Sequence, residues 1–156
     1  MACGKTAVGR ALARRLGRPF VDADRELEKA AGLSIPRLFA ARGEAYFRAL
    51  ETRIVRKLAR RRGLVVALGG GAVLKRENVS VLRRSGTVVY LQAPFAVLWK
   101  RGRRGRAKRP LWSDRRGLER RLKSRRPLYR RAAHVTVRAA EGGPKELAIR
   151  IVTRLK

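Results

Sequence analysis

Two short runs carry residue types at spacings that can do chemistry. The first is Met1-Ala2-Cys3-Gly4-Lys5-Thr6, which leads into the helical pattern Ala7-Val8-Gly9-Arg10-Ala11-Leu12-Ala13. Gly-Lys-Thr before a helix is the second half of the phosphate-binding motif G-x-x-x-x-G-K-[ST]. The first motif glycine, and the strand that precedes it, have no counterpart in the sequence. Gly4 lacks a side chain, so backbone N–H groups can close around a polyphosphate, and the helix start adds unpaired donors and a positive dipole end. Lys5 has the reach for β- and γ-phosphates, and the Thr6 hydroxyl can ligate Mg2+. The structural alternative is a helix that begins after glycine, with a solvated Lys and a capping Thr.

The second run is Asp22-Ala23-Asp24, at the end of the apolar pair Phe20-Val21. Carboxylates two residues apart at a strand end point to the same side, at the edge where α/β sheets bind ligands. Asp24 can equally cap the helix that follows it. Further along, Gly69-Gly70-Gly71 closes the apolar run Leu64 to Leu68, and three glycines there let a ligand approach the backbone closely. Arg48 lies beside a helical face of Phe47, Leu50, Ile54, Val55 and Leu58. It can project into a pocket from there, or bridge Glu44 or Glu51. His134, the one histidine, starts a strand and reads as structural. Cys3, the one cysteine, reads as a small filler of the loop and excludes an intramolecular disulfide or a cysteine-rich metal site.

The elements that must position these groups alternate. Helical patterns cover 7–17, 25–31, 34–41, 43–61, 76–84, 95–102, 118–124 and 145–155, and the strand runs are 20–21, 64–68, 87–91 and 134–137. Strands alternating with helices, with no hairpin signals, predict an α/β protein with a parallel sheet. That sheet is one strand short, the missing one being the strand expected before the phosphate loop. Arg- and Gly-rich residues 103–108 show no apolar periodicity. They read either as a solvated loop or as a lid whose arginines close over phosphates.

With 156 residues the chain fits one domain. No apolar run reaches 18 residues and nothing resembles a signal peptide, so a soluble cytoplasmic protein is expected, without a membrane partner. Lys+Arg 41 against Asp+Glu 11 gives a net charge of +30. From Lys100 to Arg131 alone there are 16 basic and 2 acidic residues. Such a charge favours anionic partners and makes non-specific nucleic-acid binding a competing reading. The basic residues are nevertheless spread along the chain, with no aromatic-studded RNA-binding signature or zinc-finger spacing.

Across its whole length the sequence resembles the shikimate kinase family. The resemblance is carried by G-K-T at 4–6, D-A-D at 22–24, G-E-x-x-F-R-x-x-E at 43–51, L-G-G-G-A-V at 68–73, R-P-L at 109–111 and R-R-P-L-Y at 125–129. It implies a single three-layer α/β P-loop kinase domain over 1–156, with a mostly parallel sheet whose first central strand is missing here. It also implies a substrate-binding region at about 22–51 and a mobile lid at about 102–114. The implied reaction is transfer of the ATP γ-phosphoryl group to the 3-hydroxyl of shikimate, in the route to chorismate and the aromatic amino acids, by a monomer. Lys5 and the loop amides of Ala2, Cys3, Gly4, Thr6 and Ala7 would hold the phosphates. Thr6 would ligate Mg2+, with Asp22 nearby through water. Asp24 would accept hydrogen bonds from shikimate hydroxyls and act as the base. Arg48 and Arg125 would pair with the shikimate carboxylate, and Gly70 would offer a backbone N–H. Arg109 would stabilise the phosphoryl group from the lid, and Arg101 would stack on adenine.

Ala2 stands where the family usually has glycine, and Met1 where it often has an internal Met. The expectation is therefore a truncated or misassigned start. The alternatives are a related small-molecule kinase of the gluconate type, or an inactive truncated form that binds nucleic acid through its charge.

Overall fold

Gly4, at φ 85° and ψ 20°, turns the chain into helix α1 (Lys5–Leu16), a left-handed conformation that a side chain would strain. The structure is a computed structural model that describes residues 3–103 and 114–155. After α1 come β1 (Phe20–Asp22), α2 (Ala23–Ala31), α3 (Ile35–Ala59), β2 (Val65–Ala67), a short 3-10 turn (Ala72–Leu74) and α4 (Arg76–Ser85). Then follow β3 (Val89–Gln92), α5 (Phe95–Arg103), α6 (Arg115–Ala132), β4 (Val135–Arg138) and α7 (Pro144–Thr153).

The strands pair in parallel, β1 with β2 and β3 with β4, which agrees with the expected α/β class. The sheet expected to be short of a central strand is found as two separate pairs. The facing edges of β2 and β3 line a cavity of about 430 Å3, closed over by Val8, Leu12 and Leu16 of α1 and Ile151 of α7. Among the described residues no ladder joins those two edges.

The layers follow from alternation along β2. Val65 packs with the cluster of Val8, Ala11 and Leu12 of α1 and Leu147, Ala148 and Ile151 of α7. Its neighbour Val66 packs on the opposite side, with Leu27 of α2 and Leu38, Phe47, Leu50, Ile54 and Leu58 of α3. Helices therefore cover both faces, the arrangement a parallel sheet requires. Where α1 crosses β1, Gly9 lies on Phe20 so closely that a Cβ would come within 2.6 Å of the ring.

Segments 34–41 and 43–61 meet at Gly43, whose φ 73° and ψ 176° are non-helical, so α3 is two helices joined across a kink where the sequence divides them. One helix departs from its sequence-based boundaries. Helix α6, expected over 118–124, extends from Arg115 to Ala132 and passes through Pro127. Proline has a helical φ, and its missing N–H deprives the carbonyl four residues earlier, that of Lys123, a residue exposed to solvent. Leu118, Leu122 and Ala132 are buried on both sides of the proline, and their packing holds the two halves as one helix.

Candidate active site

The chemical residues converge where β1, β2 and the start of α1 end together. The Thr6 hydroxyl donates to Asp22 Oδ2 at 2.8 Å, joining the first turn of α1 to the end of β1. Asp22 also caps α2, its Oδ1 accepting from the Asp24 backbone N–H at 3.1 Å. The capping role open to Asp24 in the sequence thus belongs to Asp22. Asp24 sits in the first turn of α2, and its carboxylate is free to face Gly69.

Gly69 and Gly71 leave room for charged side chains. A Cβ on Gly69 would lie 2.8 Å from Asp24 Oδ1 and 3.1 Å from Glu51 Oε1, and a Cβ on Gly71 would lie 2.0 Å from Arg48 Nη1. Both readings of Arg48 are realised. It bridges Glu51 through Nη1 at 2.7 Å and Glu44 through Nη2 at 2.9 Å, while its guanidinium rests on the Gly71 backbone. The glycine turn is fixed from two sides. Buried Asn78 donates through Nδ2 to the Ala72 carbonyl at 3.1 Å, and the Tyr129 hydroxyl donates to the Gly70 carbonyl at 2.8 Å.

Electrostatics link the same groups. Burial opposes charge on Lys5, but the negative charges of the Cys3 thiolate and the Asp24 carboxylate hold the ammonium above its ordinary pKa. Asp24 is pushed above the usual carboxylate value chiefly by burial of its carboxyl, which outweighs the Lys5 attraction and is reinforced by the negative charges of Asp22 and Glu28. Burial also raises Glu51, against the opposing effect of Arg48, while Asp24 adds repulsion and Arg125 attraction. Tyr129 is raised by burial, with Arg125 and Lys5 pulling the other way. A cationic loop end, two buried-side carboxylates and two arginines therefore share one glycine-floored site.

The structure thus brings together Lys5, Thr6, Asp22, Asp24, Arg48, Gly70 and Arg125. Gly4 and Ala7 flank Lys5 and Thr6 at the helix start, and Cys3 is buried among Ala93, Leu98 and Leu122, the filler its size suggested. Arg101 lies at the end of α5, with its Nη1 donating to the Ala139 carbonyl after β4 at 2.9 Å. Ala2 and Arg109 lie outside the described residues, as does most of the 102–114 segment. His134 is structural: its Nδ1 accepts from the Val88 backbone N–H at 3.0 Å. Sequence reasoning missed the parts of Asn78 and Tyr129. Tyr129 stood inside R-R-P-L-Y, and its i, i+4 spacing from Arg125 was the available signal.

Oxygen donors suited to a hard cation are present. Mg2+ takes one or two protein oxygens together with phosphate and water, and Thr6 and Asp22 supply that number. The Thr6 oxygen keeps a lone pair while its proton is given to Asp22.

Comparison with known proteins bears on the same architecture. The family model described as "Shikimate kinase" matches residues 1–156. The chain is similar to a shikimate kinase of Symbiobacterium thermophilum, with 45% identity over all of this chain and 92% of the relative. It is 42% identical to one of Nitrosospira multiformis, over 99% of this chain and 80% of the relative. Among solved structures, the shikimate kinase of Acinetobacter baumannii in complex with shikimate superimposes with a TM-score of 0.95 at 40% identity, covering 99% of this chain and 88% of that one. The shikimate kinase of Aquifex aeolicus gives 0.84 at 35% identity, covering 99% and 90%.

Proposed function

The chain belongs to the shikimate kinase family, and we propose that its reaction is carried by Lys5, Thr6, Asp22, Asp24, Arg48, Gly70 and Arg125 acting around the Gly69–Gly71 turn. It is an ATP-dependent phosphotransferase that moves the γ-phosphoryl group to the 3-hydroxyl of shikimate, giving shikimate 3-phosphate and ADP. That step belongs to aromatic amino acid biosynthesis. No helix among the described residues is long and apolar enough to cross a membrane. A cytoplasmic location fits the use of ATP.

Lys5 and the amides from Ala2 to Ala7 bind the phosphate chain at the start of α1. Lys5 remains charged for this, because its neighbours raise its pKa. Thr6 and Asp22 would hold Mg2+, which would neutralise charge on the phosphates when bound. Asp24 takes the proton of the attacking hydroxyl, and its raised pKa makes it a stronger base than an exposed carboxylate. Arg48 and Arg125 hold the shikimate carboxylate, a planar group that guanidinium matches. Of the two partners of Arg48, Glu44 is 56% exposed and Glu51 is 9% exposed at the side chain. The Glu44 bridge is thus a surface pair, worth about 0–1 kcal/mol, which a substrate carboxylate can replace. Glu51 stays and orients the guanidinium.

The Gly70 N–H supplies a further donor to the substrate. The substrate region is 22–51, closed by residues 102–114. Within that segment Arg109 serves the phosphates by its place in the R-P-L motif; Arg101, near the end of α5, would stack on the adenine. One observation carries the assignment: Asp24 and Arg48 meet the same glycine turn, one at Gly69 and the other at Gly71. A coupled ADP-release assay with shikimate and with gluconate tests it. Turnover with shikimate alone is expected, and equal turnover of gluconate overturns the substrate assignment.

A further inference from the structure

The Gly69–Ala72 segment is a turn closed by the Ala72 N–H donating to the Gly69 carbonyl at 3.2 Å. Gly70 and Gly71 are its two central residues. Gly71 has φ −92° and ψ −14°, the third-residue conformation of a type I turn. A type II turn has the same ends but a flipped central peptide, with φ near +80° at its third residue. Most sequences disfavour that form because a side chain opposes positive φ. Glycine at both central positions removes the barrier, so the Gly70–Gly71 peptide has two accessible orientations.

One group distinguishes them. The Tyr129 hydroxyl, 59 positions along the chain, donates to the Gly70 carbonyl at 2.8 Å. The flipped peptide turns that carbonyl away from Tyr129. The ring itself is fixed independently, stacked on Tyr90 with centroids 5.3 Å apart. Tyr129 also lies on α6, one helical turn after Arg125, which adjoins its hydroxyl. Across the turn, Arg48 Nη1 lies over Gly71 where a Cβ would stand, beside the Gly71 N–H that turns over when the peptide flips.

We infer that Tyr129 is a positioning residue for the shikimate side of the reaction: its hydroxyl latches the Gly70–Gly71 peptide in the type I form and so holds the floor beneath Arg48. The inference rests on the assignment of Arg48 and Arg125 to the substrate carboxylate. It explains why a tyrosine stands here, since phenylalanine would provide the same stack on Tyr90 without selecting a peptide orientation. It also joins the helix that carries Arg125 to the turn that seats Arg48, so the two arginines share one reference.

Tyr129→Phe tests the latch because it keeps the ring and removes only the donor. Loss of one such bond predicts an increase of about 3- to 10-fold in the KM for shikimate, with the KM for ATP within about 2-fold of the parent. Relaxation-dispersion NMR of the same variant should show exchange at the Gly71 and Ala72 amides that the parent lacks. An unchanged KM for shikimate, or equal rises in both KM values, overturns the inference. Arg48→Ala measured alongside separates the two levels. If it weakens shikimate while Tyr129→Phe does not, the latch fails and the site assignment stands. If Arg48→Ala leaves shikimate binding unchanged, the assignment itself fails, and with it the latch as stated.

Discussion

Arg48 occupies the space above Gly71 so fully that a Cβ there would lie 2.0 Å from Nη1. The contact explains the third glycine of the run, since Gly71 has an ordinary negative φ and needs no glycine for its backbone. Gly71→Ala must push the guanidinium off its seat and away from Glu51. Losing a charge-assisted contact predicts a KM for shikimate raised about 10- to 100-fold, with ATP binding little changed. Steady-state kinetics with each substrate varied in turn checks this, and a parental KM would show that Arg48 does not hold the substrate.

Thr6 and Asp22 form the second relationship, a 2.8 Å hydrogen bond between the helix start and the strand end. Thr6→Val keeps the shape of the side chain and removes the oxygen. Apparent Mg2+ affinity should fall by at least about 10- to 100-fold, the range seen when groups around a metal are altered. Titration of activity with Mg2+ at fixed ATP reads this directly. A parental Mg2+ dependence would remove Thr6 from the metal site.

Asp24 and Glu51 both titrate above their ordinary values, with burial the leading cause. A carboxyl with a raised folded-state pKa favours the folded state when protonated. That contribution is full below the unfolded value and is lost as pH rises through the folded value. At neutral pH the charged Asp24 therefore weakens the fold, and Asp24→Asn should leave Tm equal to or above the parent. In the parent, kcat/KM should fall with acid from a pH above the usual carboxylate range, as the base becomes protonated. Melting curves and a pH–rate profile measure the two effects. A lowered Tm, or an acid limb within the ordinary carboxylate range, would contradict the account of Asp24.

The two strand pairs give a prediction about the fold itself. The Val65 N–H donates to the Pro19 carbonyl, so in a parallel ladder the next residue, Val66, directs its N–H away from β1. Val88 accepts from the β4 side, which leaves Val89 and Leu91 directed toward the cavity between β2 and β3. Amide exchange at Val66, Val89 and Leu91 should therefore be faster than at Val65 and Tyr90. Equal protection on both sides would show that the inner edges are paired.

The parallel architecture was legible because period and punctuation agreed: Leu64 to Leu68 is apolar throughout, and Gly4, Gly17 and Gly63 mark ends at left-handed φ. That the sheet is short of a central strand was legible from the motifs; which strands pair across it was not, since strand partners depend on contacts far apart in the chain. Pro127 misled in the expected direction. A local breaker was overridden by Leu118, Leu122 and Ala132 packing on both sides of it. In the site, Lys5, Thr6, Asp22 and Asp24 could be found by spacing because one strand end and one helix start place them. The Tyr129–Gly70 bond joins residues 59 positions apart, and no local pattern encodes which carbonyl a tyrosine will meet.

The central claim is that Asp24 is the base in transfer to shikimate, with phosphate binding left to the start of α1. Shikimate 3-phosphate formation and ATP affinity should both be measured for Asp24→Asn in a protein shown to be folded by its melting curve. The account predicts kcat reduced by about 10²- to 10⁴-fold with ATP affinity essentially unchanged. A variant that forms shikimate 3-phosphate at the parental rate would contradict it.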